Sequence, residues 1–249
     1  MDSHSRFGFG IGFLISWLAL VGLSLGQESS GQLRVSRELR LDYLIQVPDG
    51  YSLPENVGEK WPLVVFLHGS GERGSDLELV KKHGPPKLIA AGRKFPAIVV
   101  SPQCPEGSWW MNQPVLELID HIETGFRIDA DRVYLTGLSM GGYGTWHFVS
   151  FAPERFAAVV PVCGGGIPYL MRLLKNMPVW AFHGQLDDAV PVAESEMQVT
   201  ALQKAGNTQV KFTVYPDLAH DCWTAAYETE ELWDWLFAQS RKSLGGPAQ

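Results

Sequence analysis

The chain has 249 residues, 45% hydrophobic and 19% charged, an ordinary globular composition that excludes disorder, collagen and coiled coil. That length suits one large α/β domain, able to bury a core without metal or disulfide support. Twenty Lys and Arg against 27 Asp and Glu leave a net charge of −7; such a surface repels phosphate backbones, and no nucleic-acid partner is expected.

The chain opens with His4 and Arg6, followed by an apolar stretch from Phe7 to Leu25 broken only by Gly and Ser. Ser24 and Gly26 stand at the −3 and −1 positions of a cut before Gln27. Residues 1–26 therefore read as a secretory signal peptide, with 27–249 as a single domain. A secreted or periplasmic location follows, with no stable membrane association once the segment is cleaved. The rival reading is an uncleaved anchor helix, since the stretch is just long enough to span a bilayer. Cys104, Cys163 and Cys222 are odd in number and widely spaced. They allow at most one internal bridge and fit no zinc motif, so no metal is expected.

Beyond residue 33, strand and helix signals alternate. Arg34 to Val47 alternates as one or two strands of a meander, and 49–60 is a turn. Leu63 to Leu67 is a continuous apolar run, as in a strand covered on both faces. Ser75-x-x-Glu78 is a capping box for a short helix towards Lys82. Ala97 to Val100 is a second buried strand. Asn112 and Pro114 open a helix whose apolar face is Val115, Leu118, Ile119 and Ile122. Val133 to Thr136 is a third strand, and Ser139 to Phe151 is helical. Strands follow at 157–162 and 179–182, a helix at 192–205, a strand at 210–215 and a closing helix around Leu232 to Phe237. Such alternation implies a mostly parallel central sheet flanked by helices on both faces.

The strongest chemical signal is Gly137-Leu138-Ser139-Met140-Gly141, placed between a strand and a helix. A G-x-S-x-G sequence in that context is a nucleophile elbow: the turn holds Ser139 in strained geometry, and only Gly at ±2 leaves room for strand and helix to approach. The Met140 N–H then faces an oxyanion at the helix N-terminus. A serine hydroxyl needs a base, which this arrangement supplies later in the chain. His147 lies too far along the nucleophile helix and His183 ends a strand, where a structural hydrogen bond suits it. His220 follows the last strand in a loop and is the expected base. The acid comes from the loop after Phe182, where Asp187 and Asp188 stand side by side. The second oxyanion donor is expected after Leu67, in His68-Gly69-Ser70-Gly71, most simply the Ser70 N–H. The literal Gly69-x-Gly71-x-x-Gly74 fingerprint fails as a dinucleotide site, because no Asp or Glu ends a strand about twenty residues on.

His68-Gly69-Ser70-Gly71-Glu72-Arg73-Gly74, Ser101-Pro102-Gln103-Cys104-Pro105, Gly137 to Gly144 and Pro161 to Gly166 together resemble secreted bacterial α/β-hydrolase esterases. These are phospholipase/carboxylesterase-like proteins related to the feruloyl-esterase and polyhydroxybutyrate-depolymerase group. His183-Gly184-x-x-Asp187-x-x-Val190-Pro191 and Ala219-His220 extend the resemblance over residues 33–240. One departure is Ala219, where many relatives carry Gly before the histidine. The resemblance implies an α/β-hydrolase fold and a carboxylic ester hydrolase that needs no cofactor. It also implies Asp187 as the acid, four after the His and four before the Pro. The expected substrate is a small-molecule or carbohydrate-linked ester, with Trp109 and Trp110 as candidate pocket residues. Rival readings are an acyl-thioesterase or lipid esterase, a prolyl-oligopeptidase-type peptidase, and an inactive binding module.

Overall fold

The computed structural model describes residues 40–244, so the segment read as a signal peptide lies outside the described residues. Among the described residues no helix is long and apolar enough to cross a membrane. In chain order the elements are β1 (Tyr43–Gln46), β2 (Trp61–Leu67), α1 (Gly84–Ala90), β3 (Ile98–Pro102), α2 (Val115–Gly125), β4 (Ile128–Leu138) and α3 (Met140–Phe151). Then come β5 (Ala158–Val162), β6 (Val179–Gly184), α4 (Ala193–Lys204), β7 (Val210–Tyr215), α5 (Trp223–Glu228) and α6 (Glu230–Phe237).

The strands form one seven-stranded sheet in the order β1-β3-β2-β4-β5-β6-β7. Only β1 runs antiparallel, on the edge against β3. Residues of β2 alternate between two cores because successive side chains of a strand point to opposite faces. Leu63, Val65 and Leu67 join α2, α3 and α4 on one side. Val64 and Phe66 join α5 and α6 on the other, where Leu88 and Ile89 of α1 also pack. Both faces being covered explains why the parallel strands read as unbroken apolar runs. Each fully buried Leu, Val or Phe contributes about 1.5–3 kcal/mol.

The strand order places the site. Successive strands run outward from β2 in one direction to β3 and in the other through β4 to β7, so β2 and β4 flank the switch point where α/β sheets open a crevice. Leu67 pairs with Gly137 at the carboxyl ends of these two strands, which brings the loop after β2 against the turn after β4.

The helix expected to be capped by Ser75 is a 3-10 helix, Leu77–Lys82, and its cap is Asp76, whose side chain accepts from the Glu78 N–H. α1 has no helix signal in its sequence, because Gly84-Pro85-Pro86 looks like a helix breaker. Proline is in fact suited to a first helical turn, where its missing N–H has no partner to lose. β4 starts five residues earlier than its apolar quartet, through the polar segment Ile128 to Arg132. The closing helix is two helices separated at Thr229.

Candidate active site

Ser139 sits between β4 and α3 at φ 52° and ψ −117°, a left-handed conformation that costs a non-glycine residue of order 1–3 kcal/mol. The surroundings hold it there. The Ser139 N–H donates to Val162 O at 3.0 Å, and its carbonyl accepts from the Tyr143 N–H at 3.0 Å. A Cβ at Gly137 would collide with the Gly141 carbonyl, and one at Gly141 with the Leu67 carbonyl. Both glycines are thus required by backbone-to-backbone approach.

His220 lies 81 residues further on, in a short turn after β7, and its Nε2 stands 2.9 Å from Ser139 Oγ. Its Nδ1 stands 2.7 Å from Asp187 Oδ2. The loops that carry Asp187 and His220 are joined by backbone bonds, Gln185 N–H to Tyr215 O at 2.8 Å and Leu186 N–H to Leu218 O at 2.9 Å. Gly184 packs directly on the carbonyls of Leu218 and Ala219, an approach that any side chain would block. Ala219 itself has φ −92°, so the departure from glycine there costs nothing.

The Asp187 side chain is fully buried, and Asp188 is exposed. Oδ1 of Asp187 accepts from the Ala189 N–H at 3.0 Å and the Val190 N–H at 2.8 Å. Oδ2 faces two imidazoles, that of His220 and that of His183, whose Nε2 is 3.2 Å away. A carboxylate so surrounded by donors is held in one orientation. The contact of His183 with Asp187 was not read from the sequence. Its one signal was the four-residue spacing between them.

Met140 opens α3, so its N–H is one of the donors that a helix N-terminus leaves free. Ser70 opens a short 3-10 turn, Ser70–Glu72, and is exposed. A Cβ on Gly69 would lie 3.7 Å from Ser139 Cβ, so this loop sits directly beside Ser139. It is braced from several sides. The Cys104 N–H donates to His68 Nε2 at 2.9 Å, which leaves Nδ1–H to donate to Gly69 O at 2.6 Å. Burial pushes the His68 pKa down to about 4 and keeps the ring neutral, as that pattern needs. The Arg73 guanidinium donates to the carbonyls of Ser70 and Ser108, and Gln103 donates to Glu72 O. Glu72 makes no ion pair with Arg73; its carboxylate lies 3.7 Å from His83 Nε2, an imidazole whose pKa burial lowers.

Trp110 is not a pocket residue. It is fully buried, its Nε1–H donates to His68 O at 2.9 Å, and its ring meets that of His68 edge-on. The apolar ring and single N–H suit a buttress under the loop after β2. Trp109 is half exposed on the loop before it. A cavity of about 180 Å³ lies instead beside α3, lined mainly by Met111, Tyr143, Trp146, His147, Phe151 and Ile167.

Cys104, Cys163 and Cys222 are all free and buried. A sulfur of Cys163, a carboxylate oxygen of Asp187 and a ring nitrogen of His220 lie within 4.8 Å of one another. That trio does not suit a metal: the Asp and His are already paired, and burial pushes the Cys163 thiol well up, against the thiolate a metal would need.

The family described as Phospholipase/Carboxylesterase matches residues 110–229. A bifunctional acetylxylan esterase/xylanase of Neocallimastix patriciarum is 29% identical over 150 residues, covering 57% of this chain and 22% of that protein. A poly(3-hydroxyalkanoate) depolymerase C of Paucimonas lemoignei is 29% identical over 140 residues, covering 49% of this chain and 30% of the depolymerase. Among solved structures, a thermostable esterase superposes with a TM-score of 0.70 at 35% identity, over 81% of this chain and 60% of the other. A ferulic acid esterase superposes with a TM-score of 0.60 at 19% identity, over 79% and 93%. The chain thus spans less than a third of these two curated relatives' length. With the sheet order, the elbow and these likenesses together, the chain has the α/β-hydrolase fold, and its residues 110–229 match the phospholipase/carboxylesterase family.

Proposed function

We propose that the chain is a serine hydrolase of carboxylic esters, working through a Ser139 acyl-enzyme with His220 as base and Asp187 as its orienting acid. The observation that carries this reading is the unbroken line from Ser139 Oγ to His220 Nε2 at 2.9 Å and from His220 Nδ1 to Asp187 at 2.7 Å. His220 takes the proton as Ser139 attacks the ester carbonyl, and returns it to the leaving alcohol. The amides of Met140 and Ser70 receive the oxyanion. Water activated by His220 then attacks the acyl-enzyme, and Ser139 is released. No step calls for a cofactor.

The substrate class is a short-acyl or small aryl ester, small or carbohydrate-linked. Support comes from the Neocallimastix relative, described as an acetylxylan esterase/xylanase. A secreted or periplasmic location rests on the Phe7 to Leu25 stretch and accords with the secreted relative from Arthroderma benhamiae. The test is labelling by a fluorophosphonate probe alongside hydrolysis of p-nitrophenyl butyrate. Wild-type protein should label and turn over, and Ser139→Ala should do neither, with a loss of about a millionfold in kcat as in a comparable triad enzyme. Wild-type protein that neither labels nor hydrolyses would leave the binding-module reading in its place.

A further inference from the structure

We propose that His183 is a positioning residue for Asp187, a second imidazole whose Nε2–H is donated to the carboxylate oxygen that His220 also uses. The inference rests on the esterase reading above for its kinetic consequences, but its geometry stands by itself. His183 is at the end of β6 and is fully buried. Its Nε2 has two neighbours, Val190 O at 2.8 Å and Asp187 Oδ2 at 3.2 Å. Both can only accept, because a backbone carbonyl and an ionised carboxylate carry no proton. Nε2 must therefore be the protonated nitrogen: its hydrogen bond runs to Val190 O, and Asp187 Oδ2 lies to the side of the same proton as the longer, off-axis acceptor.

Behind it the ring is locked by Ser195 of α4, whose Oγ is 2.7 Å from Nδ1 and 2.9 Å from Gly164 O. Gly164 in turn packs on the backbone of Gly142 in the first turn of α3. The contacts close a ring around the site: nucleophile helix, Gly164, Ser195, His183, Asp187, His220, Ser139. The single Ser195 hydroxyl proton lies between two acceptors, Nδ1 and Gly164 O, and this buried polar chain restricts the ring to one orientation. It holds Oδ2 where His220 Nδ1 needs it.

His183 also spreads the charge of Asp187. A donor on Oδ2 draws off part of the negative charge that would otherwise stabilise the imidazolium of His220. Removing that donor concentrates the charge, favours protonated His220, and moves the acid limb of the pH–rate profile upward. Other titratable groups facing Asp187 are Tyr143 on α3 and Cys163 after β5, both raised by burial and so neutral across that limb. Asp188 and Asp221, beside the acid and the base in sequence, are exposed, and Glu194 on α4 lies against Tyr143 and Gly165. None of these changes when His183 is replaced.

The experiment has two arms. In the first, wild-type protein with ¹⁵N-labelled histidine is examined by NMR. His183 Nε2 should carry a slowly exchanging proton whose signal moves in Asp187→Asn. A bare Nε2, or a signal indifferent to Asp187→Asn, would overturn the proposal whether or not the protein hydrolyses esters. In the second arm, His183→Leu should lower kcat by up to about a hundredfold, the cost of misplacing a catalytic group by about 1 Å, with KM little changed. Its acid limb should move upward as charge returns to Oδ2. His183→Gln, which keeps an N–H donor, should recover most of both. A His183→Leu enzyme with an unmoved limb would reduce His183 to a packing role and refute the assignment. Should that variant fail to fold, the NMR arm on wild-type protein still decides.

Discussion

Asp187→Asn is the sharpest single test of the site. Every polar neighbour of this carboxylate is a donor: the N–H groups of Ala189 and Val190 on Oδ1, and the imidazoles of His220 and His183 on Oδ2. An amide has an NH₂ where the carboxylate has an oxygen, so in either flip two donors confront each other. The least costly response is for His220 to change tautomer, carrying its proton on Nε2 and accepting at Nδ1. Nε2 then points an N–H at Ser139 Oγ and cannot take its proton. A second loss adds to this, since the imidazolium formed during attack no longer has a carboxylate at 2.7 Å. Opposite charges about 4 Å apart in surroundings of effective dielectric 20 are worth about 4 kcal/mol, or three decades of rate. The two losses together agree with the drop of about ten-thousandfold seen when such an acid is amidated in a comparable enzyme. The assay is kcat on p-nitrophenyl butyrate for Asp187→Asn and Asp188→Asn, with thermal melts to show that both are folded. Asp188, exposed, should tolerate the change within about twofold, as surface substitutions do. A folded Asp187→Asn protein within tenfold of wild type, or the reverse ranking of the two variants, would refute the reasoning.

Gly141→Ala should destabilise by about 3 kcal/mol or more, because its Cβ meets the Leu67 carbonyl and backbone cannot yield as a side chain can. That corresponds to a fall in Tm of about 6–12 °C, and an unchanged melt would contradict the close approach. Unfolded His68 takes a proton near pH 6.5 and folded His68 only near 4, so between those values the unfolded state binds more protons. Its contribution of about 3 kcal/mol is complete above pH 6.5 and is lost as pH falls towards 4. Denaturant titrations at pH 7 and 4.5 should show this loss in wild type and a smaller one in His68→Gln; equal slopes would count against it. Turnover of butyryl esters should exceed that of palmitoyl esters, and the opposite order would sink the short-acyl reading.

The chemistry-bearing residues were legible because their constraints are local. Gly137 and Gly141 must be glycine wherever a strand turns into a helix around a strained serine, so the motif appears in one short window. The apolar runs at Leu63 and Val133 announce strands covered on both faces, and the spacing of Val115, Leu118, Ile119 and Ile122 announces one buried helix face. Other assignments depended on neighbours distant in sequence. Trp109 and Trp110 are adjacent and alike, yet one is half exposed while the other is sealed under His68, 42 residues before it. Periodicity could not separate them. Asp76 caps in place of Ser75 because the backbone angle at the turn, more than the residue type, selects which oxygen reaches the Glu78 N–H. Residue order alone narrowed the acid to two aspartates and left the resemblance to choose between them. What joins Ser139, Asp187 and His220 is the packing of parallel β4, β6 and β7 side by side with β5, which stacks their carboxyl ends along one edge. The second imidazole on Asp187 belongs to that same tertiary level. A histidine at the end of a strand is an ordinary core residue until the fold closes the loop back over it, and only then do two acceptors on one nitrogen decide where its proton lies.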